Sequence, residues 1–337
     1  MNLSGKRILI VKPSSLGDIV HTLPLVHAVK RCHPSCYVGW IVQRAFQGIL
    51  EHDPAIDEII PISIPSTSEP QAGRSAYLRA LTATARTLVR LRKRFRTRPY
   101  DYVLDLHASF RSGLLGSTNR GGAKIGFRDA KELNPLFQNH RLATDPGKPH
   151  AVDRNLAFAR FLQCPPIPED FRIVSGSAQR DAVRRFLEQA GVTDTDRIVY
   201  ANPAARWQTK LWTVERWAKL ADLLIARSNA KVIFGGGAQD VAHIELIAGM
   251  MNAPPIVAAG KLSLAESVAL IEAAHVYVGV DSGPMHIAAF AGTPVVALFG
   301  PTEPALVGPY GEGHRVIRHD DLDCLACRKR SCENRRC

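Results

Sequence analysis

The sequence lacks several features that would place it in a common class of protein. It contains no run of roughly 18 consecutive apolar residues, so we expect no transmembrane helix. The first strand-like run, Ile8–Val11, starts too early to leave room for a signal peptide, which predicts a cytoplasmic protein. Neither a Walker A loop nor a G-x-G-x-x-G motif occurs, so the usual nucleotide fingerprints are absent.

Acidic residues are too few to balance the basic ones, since 31 Asp and Glu face 43 Lys and Arg and leave a net charge of +12. A basic balance indicates an anionic partner, such as nucleic acid, a lipid surface or a phosphorylated small molecule, unless the arginines only confer solubility. No recognised nucleic-acid motif is present, so we expect no nucleic-acid partner. Seven cysteines in a chain expected to be cytoplasmic argue against a disulfide framework.

Residues 78–95 are predicted to form one amphipathic helix. Its apolar face consists of residues at three- and four-residue steps: Leu78, Leu81, Ala85, Leu88, Leu91 and Phe95. The opposite face carries arginines: Arg79, Arg86, Arg90 and Arg94. Because no acidic residue occurs between Gln71 and Pro99, this face suits an anionic membrane surface, and a simple solvated face is the alternative.

Short apolar runs, each followed by a helical pattern, predict an α/β fold with parallel sheets. These runs are Ile8–Val11, Tyr37–Val42, Glu58–Ile62, Tyr102–Leu106, Ile198–Ala201, Lys231–Phe234, Val276–Val280 and Val295–Phe299. The proline-rich stretch Cys164–Phe171 suits a linker. We therefore expect two Rossmann-like domains, residues 1–164 and 172–337, that face each other across a cleft and bind ligands beyond the carboxyl ends of their strands.

Three loops that follow predicted strands carry the candidate chemistry. The first, Lys12–His21, opens a helix, where Gly17 would allow a tight turn and free N–H groups could hold an anion. Asp18 in this loop is either a plain N-cap or a general base. In the second loop, Gly279–Ala289, Ser282 can cap a helix whose first amides would bind a diphosphate.

Two residues of that second loop have more than one interpretation. His286 could donate a hydrogen bond to the diphosphate or be a structural histidine. The charge of Asp281 would repel a diphosphate, so we expect Asp281 to organise the loop instead. The third loop, Asn202–Trp212, brings the charges of Arg206 and Lys210 to a strand end, where they would stabilise a departing diphosphate.

Together these loops resemble glycosyltransferase family 9, the ADP-heptose:lipopolysaccharide heptosyltransferases, and the opening from Lys12 to Pro24 is most similar to the type I enzymes. Further matching stretches are Tyr100–His107, Gly260–Leu264 and Phe299–Pro304. The resemblance implies a GT-B fold and an inverting transfer that needs no metal ion or other cofactor. The two Asp-x-Asp strings, which start at Asp194 and Asp321, are interpreted as turns.

The same resemblance implies roles for individual residues. Asp18 corresponds to the catalytic base and Lys210 to a lysine that contacts the phosphates. The implied nucleotide-sugar-binding residues are Arg206, Asp240 (at the ribose), Leu262 (at the adenine), Asp281, Ser282, Gly283 and His286. The implied acceptor-binding residues are Ser15, Gly17, His107 and Arg111.

Two stretches depart from the family pattern. The loop Ile64–Gly73 lacks the basic residues that type I enzymes place there for the phosphates of the acceptor, and Arg74 is the first base. The chain also ends without an apolar helical stripe. It ends instead with a cysteine tail, spaced C-x2-C-x4-C-x4-C, whose thiols could bind zinc or iron, form two disulfides or stay free: Cys324, Cys327, Cys332 and Cys337.

We therefore expect a glycosyltransferase that moves heptose from ADP-heptose to a Kdo-lipid A-type acceptor of the lipopolysaccharide inner core. It would act in the cytoplasm, peripherally at the inner membrane. The alternative within the family is a heptosyltransferase for another position or acceptor, such as a type II enzyme or one acting on another glycan or a protein. The alternative from another class is a sugar-nucleotide epimerase.

Overall fold

The computed structural model describes residues 2–66, 74–333 and 337. The chain divides into two compact units, Met1–Phe171 and Arg172–Cys337. Each unit has its own six-stranded parallel sheet, so the predicted α/β architecture occurs twice. Most of the divergent loop Ile64–Gly73 lies outside the described residues.

The first unit alternates strands and helices. Its strands are β1 (Arg7–Val11), β2 (Tyr37–Gln43), β3 (Glu58–Ile62), β4 (Tyr102–Asp105), β5 (Ala123–Phe127) and β6 (His140–Leu142). Its α-helices are α1 (Leu16–Val20), α2 (Leu23–Cys32), α3 (Arg74–Thr97), α4 (Phe110–Ser117) and α5 (Ala151–Phe161), and short 3₁₀ turns span Arg44–Ile49, Asn134–Phe137 and Pro168–Asp170.

The second unit repeats this alternation. Its strands are β7 (Arg197–Asn202), β8 (Ala230–Phe234), β9 (Ile256–Val257), β10 (Val276–Val280), β11 (Val295–Leu298) and β12 (Arg315–Ile317). Its α-helices are α6 (Ser177–Gln189), α7 (Val214–Ser228), α8 (Val241–Ala248), α9 (Leu264–Ala273), α10 (Gly283–Phe290) and α11 (Pro304–Val307), and 3₁₀ turns span Gln208–Lys210 and Ala238–Asp240.

The strand order determines where each unit can bind a ligand. The order is β3-β2-β1-β4-β5-β6 in the first unit and β12-β11-β10-β7-β8-β9 in the second. In both sheets the direction of winding reverses beside the first strand, between β1 and β4 and between β7 and β10. Open parallel sheets bind ligands at the carboxyl ends of the strands at such a switch point.

The central strands are buried on both faces, as in a sheet covered by helices on both sides. Residues Ile8–Val11 of β1 are at most 2% exposed, which explains why the strand is a continuous apolar run. Four strands were not predicted, namely β5, β6, β9 and β12. The edge strands β6 and β12 are three residues long, largely exposed and carry polar residues, β9 has only two residues, and Lys124 and Gly126 interrupt β5. Within the described ranges, none of the helices combines the length and the apolar character needed to span a bilayer.

The proline-rich stretch expected to be a linker packs against the first unit. Arg31 donates to the Asp170 carboxylate at 2.9 Å and to the Pro165 carbonyl at 2.7 Å. His27 Nδ1 donates to the Asp170 carbonyl at 2.7 Å. Asp170 is 1% exposed. The stretch therefore belongs to the first unit, and the second unit begins at Arg172.

Helix α3 is longer than predicted and buries a different face in its first half, whereas Leu91 and Phe95 are buried as predicted. The buried residues are Ala80, Thr84, Thr87, Leu91 and Phe95. Leu78 and Leu81, expected in the core, are 63% and 67% exposed, and Ala85 is exposed as well. The prediction was wrong in the first half of the helix because small and threonine side chains pack there. Burial of Thr84 is possible because its hydroxyl donates to the Ala80 carbonyl at 2.7 Å.

The four arginines that were predicted to share one face of α3 do not form one free face. Arg94 pairs with Glu58 of β3, and Arg90 donates to the Pro61 carbonyl at 3.0 Å. Both side chains therefore hold the helix against the edge strand. Arg79 and Arg86 are exposed nearer the amino-terminal end of the helix, so the predicted face is divided between contacts with β3 and solvent.

Candidate active site

Lys12 and Asp18 form an ion pair at the switch point of the first unit. Lys12 Nζ lies 3.3 Å from Asp18 Oδ1 and donates to the Leu106 carbonyl at 3.0 Å, which ties the loop after β1 to the loop after β4. The lysine side chain is 8% exposed, whereas the aspartate side chain is 43% exposed. The pair therefore presents its carboxylate, and not its cation, to solvent.

Asp18 does not cap α1 from the N-cap position, so that alternative was wrong. Ser15 is the N-cap residue, and Asp18 is the third residue of the helix. Asp18 Oδ2 accepts from the Ser15 backbone N–H at 3.0 Å and from its hydroxyl at 2.6 Å, as in a capping box. Gly17 lies buried within α1 without a positive φ, so it does not form the expected tight turn.

Opposing effects act on the pKa of Asp18. Desolvation in the crowded loop raises this pKa, whereas the charge of Lys12 and the hydrogen bonds from Ser15 lower it. The lowering effects are larger in sum, so the pKa of Asp18 lies well below its usual value. Asp18 is therefore ionised at neutral pH, and an ionised carboxylate is the form that a general base requires.

His107 follows β4 at the same edge of the sheet. Its Nδ1 lies 3.0 Å from the Ser14 carbonyl, which can only accept, so this nitrogen carries a proton. Burial lowers the pKa of His107 and the charge of Lys12 lowers it further, against the opposite effect of Asp18. His107 is therefore neutral at pH 7, and its Nε2 is a hydrogen-bond acceptor.

A buried polar network fixes the loop that carries His107. Its centre is Asp105, the last residue of β4, which is 1% exposed. Asp105 Oδ1 accepts from the backbone N–H groups of His107 and Ala108, both at 3.1 Å. Its Oδ2 accepts from three side chains: Ser112 (2.9 Å), Asn134 (2.6 Å) and Gln138 (3.2 Å). Burial raises the pKa of Asp105, and these donors oppose the rise.

The other expected acceptor residues, Ser15 and Arg111, lie at the same carboxyl edge of the first sheet. Ser15 is exposed at the start of α1. Arg111 is half-buried in the first turn of α4, the helix that follows β4. Ser15 and Arg111 thus join Asp18 and His107 around the switch point between β1 and β4.

Lys210 and Asp281 form the corresponding ion pair at the switch point of the second unit. Lys210 Nζ lies 2.6 Å from Asp281 Oδ2, and the same oxygen accepts from the Thr302 hydroxyl at 2.5 Å. Here the exposure is reversed, since the aspartate side chain is 5% exposed and the lysine side chain 15%. The buried carboxylate holds the lysine in place, which fits the organising role expected for Asp281.

Helix α10 begins beside this pair. Ser282 is its N-cap residue, and the Ser282 hydroxyl accepts from the Asn202 side-chain amide at 3.3 Å. Gly283 is the first helical residue, and the start of a helix after a strand offers N–H groups to an anion. His286 is 6% exposed and lies on the buried side of α10, so its position fits a structural histidine better than a phosphate donor.

The remaining donor-side candidates lie in loops at the same edge of the second sheet. Arg206 is exposed after β7. Asp240 follows β8, and its Oδ2 accepts from the Gly237 N–H at 2.8 Å. This hydrogen bond stabilises the 3₁₀ turn Ala238–Asp240, to which Asp240 belongs. Leu262 is half-buried after β9. The Gly260 N–H donates to a carbonyl of the loop after β8 at 3.2 Å, which makes the two loops neighbours.

The cysteine tail packs against the loop that carries Lys210. The Thr209 hydroxyl donates to the Lys329 carbonyl at 2.8 Å, and the Arg330 guanidinium lies 5.0 Å from the centre of the Trp207 ring. Cys324, Cys327 and Cys337 are exposed, Cys332 is half-buried, and none of the four forms a disulfide. In the part of the chain that the structure describes, no three histidine, cysteine, aspartate or glutamate side chains are grouped to hold a metal ion.

A model of glycosyltransferase family 9 (heptosyltransferase) matches residues 88–337. The chain belongs to glycosyltransferase family 9. This family 9 enzyme is 29% identical to lipopolysaccharide heptosyltransferase 1 of Pseudomonas aeruginosa, over 97% of this chain and 87% of that protein. That alignment extends to most of the first unit, whose opening loop precedes the family match.

Solved structures agree with this assignment. A family 9 glycosyltransferase from Veillonella parvula superposes with a TM-score of 0.80 at 26% identity and covers 95% of this chain and 88% of its own. The heptosyltransferase WaaC of Escherichia coli, solved with ADP, superposes with a TM-score of 0.73 at 27% identity and covers 93% of both chains. The predicted family, the GT-B α/β fold and the glycosyltransferase class of this family 9 enzyme are thereby confirmed.

The structure adds residues that the sequence analysis of this family 9 enzyme did not single out. Lys12 pairs with Asp18, Thr302 supports Asp281, and Asn202 holds Ser282. A signal existed for Lys12, which is a basic residue directly after β1 in the same loop as Asp18. No local signal marks Thr302 or Asn202, since their partners are 21 and 80 residues away.

Proposed function

We propose that this family 9 enzyme transfers heptose from ADP-heptose to a Kdo-lipid A-type acceptor of the lipopolysaccharide inner core. The first unit binds the acceptor and the second binds the nucleotide sugar. The names of two relatives support this choice, since one is a lipopolysaccharide heptosyltransferase 1 and the other is a heptosyltransferase solved with ADP.

One observation supports the reaction above all others, namely the reversed exposure of the two ion pairs. At the first switch point the more exposed partner is Asp18 (43% against 8%), whereas at the second it is Lys210 (15% against 5%). A glycosyl transfer needs both groups, since a proton must leave the acceptor hydroxyl and negative charge must be stabilised on the departing diphosphate.

The proposed reaction is a single displacement. Asp18 takes the proton from the acceptor hydroxyl while that oxygen attacks the anomeric carbon of the heptose. The bond between this carbon and the diphosphate oxygen breaks, and ADP leaves with its electron pair. The configuration inverts because the new bond forms opposite the bond that breaks. No step requires a metal ion or cofactor.

On the donor side, the proposal gives Lys210, Arg206 and the N–H groups from Gly283 onward the task of stabilising the leaving ADP. Asp281 positions Lys210 through their ion pair, and Ser282, held by the Asn202 amide, positions the start of α10. Asp240 meets the ribose and Leu262 the adenine. On the acceptor side, Ser15, His107 and Arg111 orient the hydroxyl toward Asp18, and the buried Gly17 shapes the loop.

The location is part of the proposal. The acceptor is lipid-anchored, so the enzyme works in the cytoplasm, peripherally at the anionic face of the inner membrane. The net charge of +12 favours such a surface.

The test combines an acceptor screen with one substitution. Incubation with ADP-heptose and extracted truncated lipopolysaccharides should add one heptose to the inner-core acceptor, seen by mass spectrometry. Asp18→Asn should retain the fold and ADP binding and lose about a hundredfold or more in turnover. Asp129→Asn, which alters an exposed carboxylate paired with Arg154 in the same unit, is the control.

Each outcome of the test is informative. Conversion of the donor without an acceptor would favour a sugar-nucleotide epimerase. Transfer to a different glycan or to a protein would replace the acceptor but keep the chemistry. Near-normal turnover of Asp18→Asn would reduce Asp18 to a member of the capping box of α1.

A further inference from the structure

Helix α3 has a second apolar stripe that the first unit does not bury. Leu78, Leu81 and Val89 are 63%, 67% and 71% exposed, and Ala85 is exposed between them. Their spacing of three, four and four residues places them on one side of the helix. Tyr77, which is 56% exposed, borders this stripe at its amino-terminal end. The buried face of α3 lies on the other side of the helix.

Basic residues surround this outer stripe. Besides Arg90 and Arg94, which contact β3, the exposed cations of α3 include Arg79, Arg86, Arg92, Lys93 and Arg96. No acidic residue occurs between Gln71 and Pro99, and Glu58, the nearby acid on β3, is already paired with Arg94. The outer face of α3 thus combines exposed apolar side chains with uncompensated positive charge. This is the composition of helices that lie in the interface of an anionic bilayer.

The position of the stripe relates it to the candidate base. Helix α3 follows β3, so its first turns lie near the carboxyl edge of the first sheet and its last turns near the opposite edge, where β4 begins. Asp18 and His107 follow β1 and β4 at that same carboxyl edge. Tyr77, Leu78 and Leu81 therefore lie toward the edge at which an acceptor would bind.

We infer that the outer face of α3 is the surface by which this enzyme docks on an anionic phospholipid bilayer. Tyr77, Leu78, Leu81 and Val89 enter the boundary between headgroups and acyl chains, while Arg79 and Arg86 contact lipid phosphates. The inference rests on the proposed function, because a lipid-anchored acceptor is presented at such a surface. It goes beyond that function in naming the docking element and in requiring apolar insertion besides charge.

The experiment measures binding of the full chain to vesicles that contain no acceptor. Vesicles of phosphatidylglycerol and phosphatidylethanolamine are compared with vesicles of phosphatidylcholine by sedimentation. The test variant changes the stripe (Leu78→Gln, Leu81→Gln, Val89→Gln). The matched control changes three equally exposed apolar residues elsewhere, which are 72%, 63% and 54% exposed (Leu136→Gln, Leu246→Gln, Met250→Gln).

The inference predicts that the wild type and the control bind anionic vesicles and that the stripe variant binds at least about tenfold more weakly. Arg79→Gln with Arg86→Gln should weaken binding about fivefold or more and reduce its salt dependence. Transfer to a delipidated, soluble acceptor should be unchanged in the stripe variant, which separates docking from catalysis.

Three results would overturn the inference. The first is a stripe variant that binds vesicles like the wild type, and the second is a control that loses as much binding. The third is a wild type that dimerises through the stripe, seen by light scattering, with no vesicle binding to lose. Absence of heptose transfer to any acceptor would contradict the proposed function and leave the vesicle result to stand by itself.

Discussion

Replacing Lys12 by methionine should move the acid limb of the pH–rate profile upward by about one pH unit. Lys12 Nζ lies 3.3 Å from Asp18 Oδ1. Opposite charges about 4 Å apart attract by about 1 kcal/mol in water and about 4 kcal/mol near a protein surface. Because 43% of the Asp18 side chain is exposed, screening favours the lower end of this range. One pKa unit corresponds to about 1.4 kcal/mol, so loss of Lys12 raises the pKa of Asp18 by about one unit.

The sign follows from the form of Asp18 that acts. The pKa of Asp18 is depressed in the folded protein, and kcat/KM falls only when the pH drops through this pKa and protonates the base. The wild type therefore stays active to a lower pH than the variant. The same pair stabilises the fold at pH values above the unfolded pKa of about 4, and this contribution is lost as the pH falls through the depressed folded pKa.

The assay is kcat/KM for heptose transfer from about pH 8 down to the lowest pH at which far-ultraviolet circular dichroism shows the wild type and the variant to be folded, because the depressed pKa of Asp18 places the acid limb at low pH. Lys6→Met is the matched control, since Lys6 pairs with Asp101 at 3.5 Å beside the start of β1, at the opposite edge of the sheet. Lys12→Arg keeps the charge and should keep the wild-type profile. An acid limb that is identical in Lys12→Met and the wild type, or shifted equally in Lys6→Met, would refute the reasoning.

Three further predictions concern the supports of the site. Lys210→Ala should lower kcat by about a hundredfold and the free energy of unfolding by about 3 kcal/mol, because it leaves the buried Asp281 carboxylate without its cation. Thr302→Val should lower the free energy of unfolding by only about 1 kcal/mol, and equal losses of both variants in chemical denaturation would contradict this difference. Asn134→Leu should destabilise the protein by about 1–3 kcal/mol by depriving buried Asp105 of a donor, and an unchanged denaturation midpoint would exclude that role. Thr209→Val should speed tryptic cleavage of the cysteine tail about fivefold, and equal cleavage rates by mass spectrometry would show that this hydrogen bond does not hold the tail.

Most central strands of both sheets, and the edge strand β3, could be predicted from the sequence because each is an apolar run beside a helical pattern. The central strand β5 was missed because Lys124 and Gly126 interrupt it, and the edge strands β6, β9 and β12 were missed because they are only two or three residues long. In the first half of α3, the inner face was also unpredictable by periodicity. Both sides of the first half of that helix are apolar or small, and packing against the sheet selected Ala80 and Thr84 over Leu78 and Leu81.

The positions of the three candidate loops were predictable, but the contacts of their side chains were not. A loop after a parallel strand lies at the carboxyl edge whatever the strand order. That Lys210 meets Asp281 depends on β7 pairing with β10, a pairing between segments more than 70 residues apart. Neither segment by itself indicates that Lys210 and Asp281 are partners. The ion pair and its support by Thr302 can therefore be identified only from the assembled sheet.

The two ion pairs also explain why residue identity alone cannot assign chemistry here. Each switch point holds one lysine and one aspartate, so composition describes both sites equally. Burial distinguishes them, because the buried partner is fixed by its contacts and the more exposed partner can meet a substrate. Lys12 is held against the Leu106 carbonyl, which leaves the Asp18 carboxylate available for the role of base that we propose. Asp281 is held by Thr302, which leaves Lys210 available for the contact with phosphate oxygens that we propose. Exchanging lysine and aspartate within either pair should therefore abolish transfer, because the group left exposed would carry the wrong charge for its step.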